Sequence, residues 1–422
     1  MSPLEDAYGV TIGAPYHEEG RSVSPLNYLP EVQEKLNHPS KVKVHDVTLR
    51  DGEQTARIAF TPEEKVFIAE QLNSLGVHSI EPCLPVTAED KEVLKELSGK
   101  GFRSKIVPLV RLKEEDVEAT LDAKADGMLL EFGINPYLLK YVYQITPETL
   151  IDMVSTFAKA GREAGLYVEF MGWDAFRIPD QDYVLRIFGE IAERGGADRI
   201  TISDTFGMGH PFATYEMVRK LKQHVGVDVG FHIHNDYGLA TAGALMAVAA
   251  GADMVHTSVN GIGERAGNVA TEEVAIALQH LMGVDTGMDL TRLKMVSDVV
   301  AEISRAQPAR NKPVVGEGLF ETESGIVVHI LNGMARTPLG TNYVFPFPPE
   351  AVGHGANSVV YGRGSGRHGV GAMLKERGYE PTDDQVGEVT EAIKQAGLML
   401  KTGLPTTVLD AIVARVMEGG NA

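Results

Sequence analysis

The stretch KVKVHDVTLRDGEQTARIAFTPEEKVFIAEQLNSLGVHSIEPC, residues 41–83, decides the fold. It opens on a β-branched and apolar run, Val44 to Leu49, and then turns polar and glycine-containing. Thr61 follows as a helix N-cap with Glu64 three residues on, the arrangement of a capping box. Behind it Val66, Ile68, Ala69 and Leu72 mark the apolar stripe of a helix over residues 62–75, and a second apolar run begins at His78. A strand, a helix and another strand in this order form one βα step towards a parallel sheet.

The same step repeats along the chain. Runs at Lys105 to Val110, Gly127 to Phe132, Tyr167 to Met171, Arg199 to Ser203, Val229 to His234 and Met254 to Val259 join Val44 to Leu49 and His78 to Cys83 as strands. Eight βα units in roughly 250 residues predict an α/β fold, a (β/α)8 TIM barrel. A doubly wound open sheet is the competitor, but no nucleotide-binding glycine fingerprint supports it. The expected organisation is an N-terminal arm over 1–42, a TIM-barrel catalytic domain over 43–290, a linker and first subdomain over 291–345, and a helical subdomain over 346–422. The amphipathic segments Asp384 to Leu400 and Thr406 to Met417 make the C-terminal part α-rich.

Composition narrows the function. The 422 residues carry 58 acidic against 39 basic side chains, a net charge of -19, which disfavours nucleic acid and anionic membrane surfaces. Apolar stretches are too short or too interrupted to span a bilayer and no secretion signal opens the chain, so a cytoplasmic location is expected. The single cysteine, Cys83, rules out an internal disulfide and a cysteine-rich zinc site, and it reads as a small packed residue.

Chemistry is expected at the C-terminal ends of the strands. The first ends in Arg50-Asp51, and the seventh in His232-Ile233-His234, where alternation puts both imidazoles on one face. The eighth leads into a glycine-rich loop, residues 260–268, able to fold back and present Asn268. An HxH pair alone fits two pore-filling histidines. Facing Arg50 and Asp51, it reads as a site for Mg, Mn, Co or Zn, with open positions for a chelating 2-oxo acid. Arg50 would hold a developing oxyanion. Glu81, at the end of the second strand, reads equally as a base, a supporting group or a partner for Arg50. Trp173 and Phe176 read as packing, and Gly362 to Arg367 as a glycine-rich turn rather than a phosphate cradle.

Taken in order, HDVTLRDGEQ, GVHSIE, DTFGMGHP, HIHNDYGLA and GIGERAGNVATEEV resemble the DRE-TIM metallolyase superfamily, in particular its 2-isopropylmalate, homocitrate and citramalate synthases. ESGI at 323–326 and GRGSGRHG at 362–369 resemble the synthases' C-terminal subdomains. The resemblance implies that Asp51, His232 and His234 bind the divalent ion, with Asn268 a further metal-site residue, and that Arg50 stabilises an enolate or alkoxide. Glu81, Arg111 and Thr205 match the 2-oxo-acid pocket, and Gln54, Glu131 and Arg177 are placed with them as substrate-side candidates. Acetyl-CoA is the implied co-substrate, and a homodimer whose C-terminal subdomains contact the partner barrel is the implied assembly.

Several positions depart from the synthase pattern. Thr322 and Val327 stand where histidines flank the ESGI-like tetrapeptide, Leu130 to Gly133 carries no histidine, and Trp173-Asp174 replaces an acidic pair. His329 is the candidate replacement base. The expected reaction is condensation of an acyl-CoA with a 2-oxo acid to a 2-hydroxy di- or tricarboxylate. Cleavage of a 2-hydroxy or 2-oxo carboxylate by a lyase or aldolase is the alternative. The loop lacks the cysteine of hydroxymethylglutaryl-CoA lyases, and no leucine-sensing regulatory domain is expected.

Overall fold

The computed structural model describes residues 23–337 and 340–419. Its main sheet is built from β1 (Lys43–Asp46), β2 (Ser79–Ile80), β3 in two pieces (Lys105–Ile106 and Leu109–Val110), β4 (Gly127–Gly133), β5 (Tyr167–Trp173), β6 (Arg199–Asp204), β7 (Asp228–Ile233) and β8 (Met254–Thr257). Every pairing is parallel, and β1 pairs with both β2 and β8. The first piece of β3 pairs with β2 and the second with β4, so the ring closes through this interrupted strand. Pro108 lies at the interruption and has no N–H to give to a ladder, which is why the pairing changes sides there. The expected TIM barrel is thus present, with all eight predicted strands in place.

The helices are α1 (Pro62–Leu75), α2 (Ala88–Gly99), α3 (Glu114–Asp122), α4 (Pro147–Glu163), α5 (Gln181–Gly195), α6 (Pro211–Val225), α7 (Ala240–Ala249), α8 (Thr271–Met282) and α9 (Leu293–Ser304). The capping box at α1 forms as expected: Thr61 Oγ1 accepts from the Glu64 amide at 3.2 Å and Glu64 Oε2 from the Thr61 amide at 2.8 Å. A cap of this kind stabilises by about 1 kcal/mol. Ile68 and Leu72 bury the α1 stripe, and Phe170, Phe188, Ile200 and Phe231 belong to the main core.

Several strands end before the apolar runs do, the second at Ile80 rather than Cys83 and the eighth at Thr257 rather than Val259. The first ends at Asp46 rather than Leu49, because the amides of Arg50, Asp51 and Gly52 turn back to the Val47 carbonyl at 3.2, 2.9 and 3.0 Å. The seventh ends at Ile233, and His234 continues only as an isolated bridge to Asn268. Of the N-terminal arm, residues 1–22 lie outside the described residues. The rest forms single turns at Pro25–Tyr28 and Pro30–Gln33 and is pinned by Asn37 N to Ala249 O, 2.7 Å, and Tyr215 Oη to Lys35 O, 2.8 Å.

The compact unit containing the barrel comprises 24–309 and 313–315; a second comprises 310–312 and the chain from 316 onward. The second unit holds a parallel pair, β9 (Glu321–Thr322) and β10 (Ser358–Val359), and helices α10 (Gly325–Met334), α11 (Arg367–Glu376), α12 (Asp383–Leu400) and α13 (Thr406–Met417). Val370, Leu374, Val389, Ile393 and Val413 form its helical core. The two glycine-bearing motifs meet here: a Cβ on Gly325 would lie 2.7 Å from Gly366 Cα, and the Gly364 amide donates to Glu323 Oε1 at 2.7 Å. The Gly362 amide is likewise spent within the turn, on Ser365 Oγ at 2.9 Å. No helix among the described residues is long and apolar enough to cross a membrane.

Candidate metal centre and active site

The turn after β1 lifts Arg50 and Asp51 to the C-terminal mouth of the barrel, where β7 brings His232 and His234. Asp51 Oδ2 lies 3.6 Å from His232 Nε2 and 3.8 Å from His234 Nε2. Donors sharing one ion at bonds of about 2.1 Å stand roughly 3 to 4 Å apart, so this spacing suits a common cation. All three residues are buried, and their donor atoms lie within 4.8 Å of one another. Burial depresses the pKa of both imidazoles, that of His232 strongly, leaving the neutral form a metal requires.

Asn268 joins them through the loop after β8. The Asn235 amide donates to Gly267 O at 2.9 Å and the Asn268 amide to Gly261 O at 3.1 Å, folding the loop back beside His234. Gly267 sits at φ +84, and a Cβ there would collide with the Gly261 carbonyl, so this return needs glycine. Asn260 braces the loop by donating to Ser297 O of α9 at 2.9 Å. Asn268 Nδ2 donates to Ile262 O at 3.1 Å, while its Oδ1 is buried without a hydrogen-bond partner. Asp51 Oδ1 is likewise buried and unpartnered. Carboxylate and amide oxygens left unpaired beside two neutral imidazoles fit a divalent cation.

Arg50 is 6% exposed and has acidic neighbours on several sides. Its Nε donates to Glu81 Oε1, and its Nη1 lies 3.4 Å from both Asp51 Oδ2 and Gln54 Oε1. Its Nη2 is buried and unpartnered. Burial opposes the charge on Glu81, but Arg50 and His45 outweigh it and bring the carboxyl down to about 2. Burial pushes Glu131 on β4 the other way, to about 7, although part of its side chain stays exposed; Arg50 resists that rise and Glu81 and Asp51 reinforce it. Two carboxyls near one guanidinium are thus shifted in opposite directions.

The remaining candidates lie farther from this cluster or are engaged elsewhere. Arg111 is held by Asp116 through Nε at 2.8 Å and Nη2 at 2.9 Å. Arg177 grips Asp174 at 2.5 and 2.7 Å and covers the Phe206 ring at 4.1 Å. Thr205 Oγ1 accepts from the Asp174 amide at 2.8 Å and lies 3.0 Å from Ser203 Oγ, tying the ends of β5 and β6 together. His329 is not among the residues the barrel assembles. It belongs to the second unit, exposed on α10, with its ring 4.9 Å from that of His368.

The sequence reading missed a buried polar network inside the barrel. His45 Nε2 lies 2.9 Å from Glu81 Oε2, and the His45 and His256 rings are 4.5 Å apart. His256 Nε2 lies 2.9 Å from Glu169 Oε1, which also accepts from Thr201 Oγ1 at 2.5 Å, while Glu169 Oε2 takes Arg199 Nη1 at 3.2 Å. The available signal was weak: a histidine, glutamate or arginine within a short strand that also carries apolar core residues.

A closed parallel barrel with Asp51, His232, His234 and Asn268 gathered at one mouth defines the class, a DRE-TIM barrel. The chain belongs to the HMGL-like family, whose model matches residues 41–300, and residues 314–399 match the homocitrate synthase post-HMGL domain-like family. It is 37% identical over 392 residues to homocitrate synthase AksA of Methanopyrus kandleri, covering 93% of this chain and 96% of that protein. Two proteins of Methanocaldococcus jannaschii are also similar: 2-isopropylmalate synthase (36% identity; 86% of this chain, 70% of that one) and (R)-citramalate synthase CimA (35%; 84% and 71%). Among solved structures, the Bacillus subtilis HMG-CoA lyase superposes with a TM-score of 0.59 at 20% identity, covering 65% of this chain and 97% of its own, a likeness of fold.

Proposed function

We propose that the protein condenses acetyl-CoA with a 2-oxo acid to give a 2-hydroxy di- or tricarboxylate. The observation that carries this is the buried, unpartnered Nη2 of Arg50 beside the Asp51, His232 and His234 cluster, to which Asn268 is joined by its bridge to His234. Those four residues would hold a divalent ion, Mg, Mn, Co or Zn. When bound, such an ion supplies Lewis-acid polarisation of a ketone and a second point of attachment for the adjoining carboxylate. Arg50 keeps its charge, with Glu81 and Asp51 outweighing the opposing effect of burial, and offers Nη2 to the oxygen that becomes an alkoxide when the new carbon-carbon bond forms. Glu131, Gln54, Arg111, Arg177 and Thr205 are the candidates to select the side chain of the oxo acid. Thioester hydrolysis then releases the product.

Thr322, standing where a histidine is usual, is the feature that would favour the alternative direction, cleavage of a 2-hydroxy or 2-oxo carboxylate at the same centre. Synthase relatives matching most of the chain favour condensation. A homodimer is the proposed assembly, with His329 offered to the partner subunit as the base for the acyl methyl group. The test is CoA-thiol release with Mg or Mn, acetyl-CoA and 2-oxo acids from glyoxylate to 2-oxoglutarate, with product masses recorded. Metal-dependent release with one preferred acid is expected. Silence across the panel, with cleavage of a 2-hydroxy acid instead, would overturn condensation.

A further inference from the structure

The side chains that direct Arg50 form a chain reaching into the barrel. Ser79 on β2 and His256 on β8 stand in register with His45 on the two sides of β1. Ser79 Oγ lies 2.7 Å from His45 Nδ1, His45 Nε2 lies 2.9 Å from Glu81 Oε2, and Glu81 Oε1 accepts from Arg50 Nε. Ser79, His45 and Glu81 are at most 2% exposed. A neutral ring with its proton on Nε2 satisfies both contacts, accepting from the serine hydroxyl and donating to the carboxylate.

His45, Glu81 and His256 also have the spacing of a metal cluster. Their hydrogen bonds argue against a second ion. Both oxygens of Glu81 and both nitrogens of His45 are engaged, His256 Nε2 faces Glu169, and the Arg50 cation already occupies the remaining side of Glu81. An apolar residue at position 45 would instead leave Glu81 Oε2 buried and unpaired, or force a rotation of the carboxylate. Such a rotation would carry the Arg50 guanidinium with it.

We propose that His45 is a positioning residue: together with Ser79 it locks the Glu81 carboxylate, and through it fixes the direction in which Arg50 presents Nη2. The inference rests on the reading of Arg50 given above. His45→Phe keeps an aromatic ring against His256 while removing both hydrogen bonds. In the metal-loaded enzyme, kcat should fall on the order of tenfold, as is usual when a supporting hydrogen bond is lost, with metal affinity and the KM for the oxo acid within about twofold of wild type. His45→Gln, whose amide can donate to Glu81, should recover most of that loss.

The Arg50 Nε–H resonance, assigned by its disappearance in Arg50→Lys, should shift and exchange faster with solvent in the Phe variant. This readout requires no turnover, so it decides the positioning role even if no oxo acid reacts. If His45→Phe does not fold, Ser79→Ala deletes one hydroxyl and the same two measurements apply. An unmoved Arg50 resonance, or an unchanged kcat despite a lowered melting temperature, would overturn the proposal and reduce His45 to a packing residue.

Discussion

At the residue scale, the proposed function separates Asp51, His232, His234 and Asn268, which would hold an ion, from Arg50, which would hold charge on the substrate. Asp51→Ala or His232→Ala should abolish tight metal binding and turnover together, measured by calorimetry with Mn and by thiol release. Arg50→Ala should retain the metal while kcat drops by about 10² to 10³, the usual loss when a donor to a developing oxyanion is removed. A near wild-type rate in that variant would discard the oxyanion assignment. Cys83 gives a simpler test. Burial pushes its thiol up to about 12, and its Sγ lies 3.5 Å from Asp90 O. A thiol reagent at pH 8 should therefore find nothing in the native protein and one equivalent after denaturation.

At the element scale, strand ends and loops would carry the proposed chemistry, and their stiffness should matter as much as their side chains. Gly267→Ala forces a side chain into a left-handed backbone position against the Gly261 carbonyl. The loop should shift, and metal affinity should weaken at least tenfold although Asn268 itself is untouched, as titration with Mn would show. Elements of this kind were legible in the sequence. Alternating apolar runs marked the strands, the Thr61–Glu64 pair marked a helix start, and Asp51, His232, His234 and Asn268 stood out because polar residues at strand ends face the mouth of a barrel. His45, Glu169, Arg199 and His256 were not legible. Each sits in a short run that also supplies apolar core residues, and its partner is tens of residues away: 36 from His45 to Glu81 and 87 from Glu169 to His256. Only closure of the ring brings them together. Periodicity also overran β1, because the turn at the Val47 carbonyl is set by backbone hydrogen bonds that side-chain alternation does not encode.

At the scale of the whole molecule, the proposed dimer makes a prediction that neither unit makes alone. Suppose His329 serves the partner's barrel. Mixing an inactive His329→Ala protein with an inactive His232→Ala protein should then restore about a quarter of wild-type turnover per mixed dimer population, since random pairing makes half the dimers hybrids with one intact site of two. Sedimentation at micromolar concentration should show a dimer. Monomers, or hybrids without activity, would refute the shared site.

The interruption of β3 at Pro108 means that the cylinder has a seam. Seven staves run unbroken between their neighbours, while the third passes its bonds from one side to the other across a residue that cannot donate. Cooperative opening should begin there. Native-state hydrogen exchange should find amides at Ile106, Val107 and Leu109 yielding before those of β6 and β7. The metal-side residues come from β1, β7 and β8, away from this line, whereas Glu81 follows β2 and Glu131 sits on β4, the two strands that flank it. Loosening of the seam should therefore reach the substrate side of the mouth before the metal side.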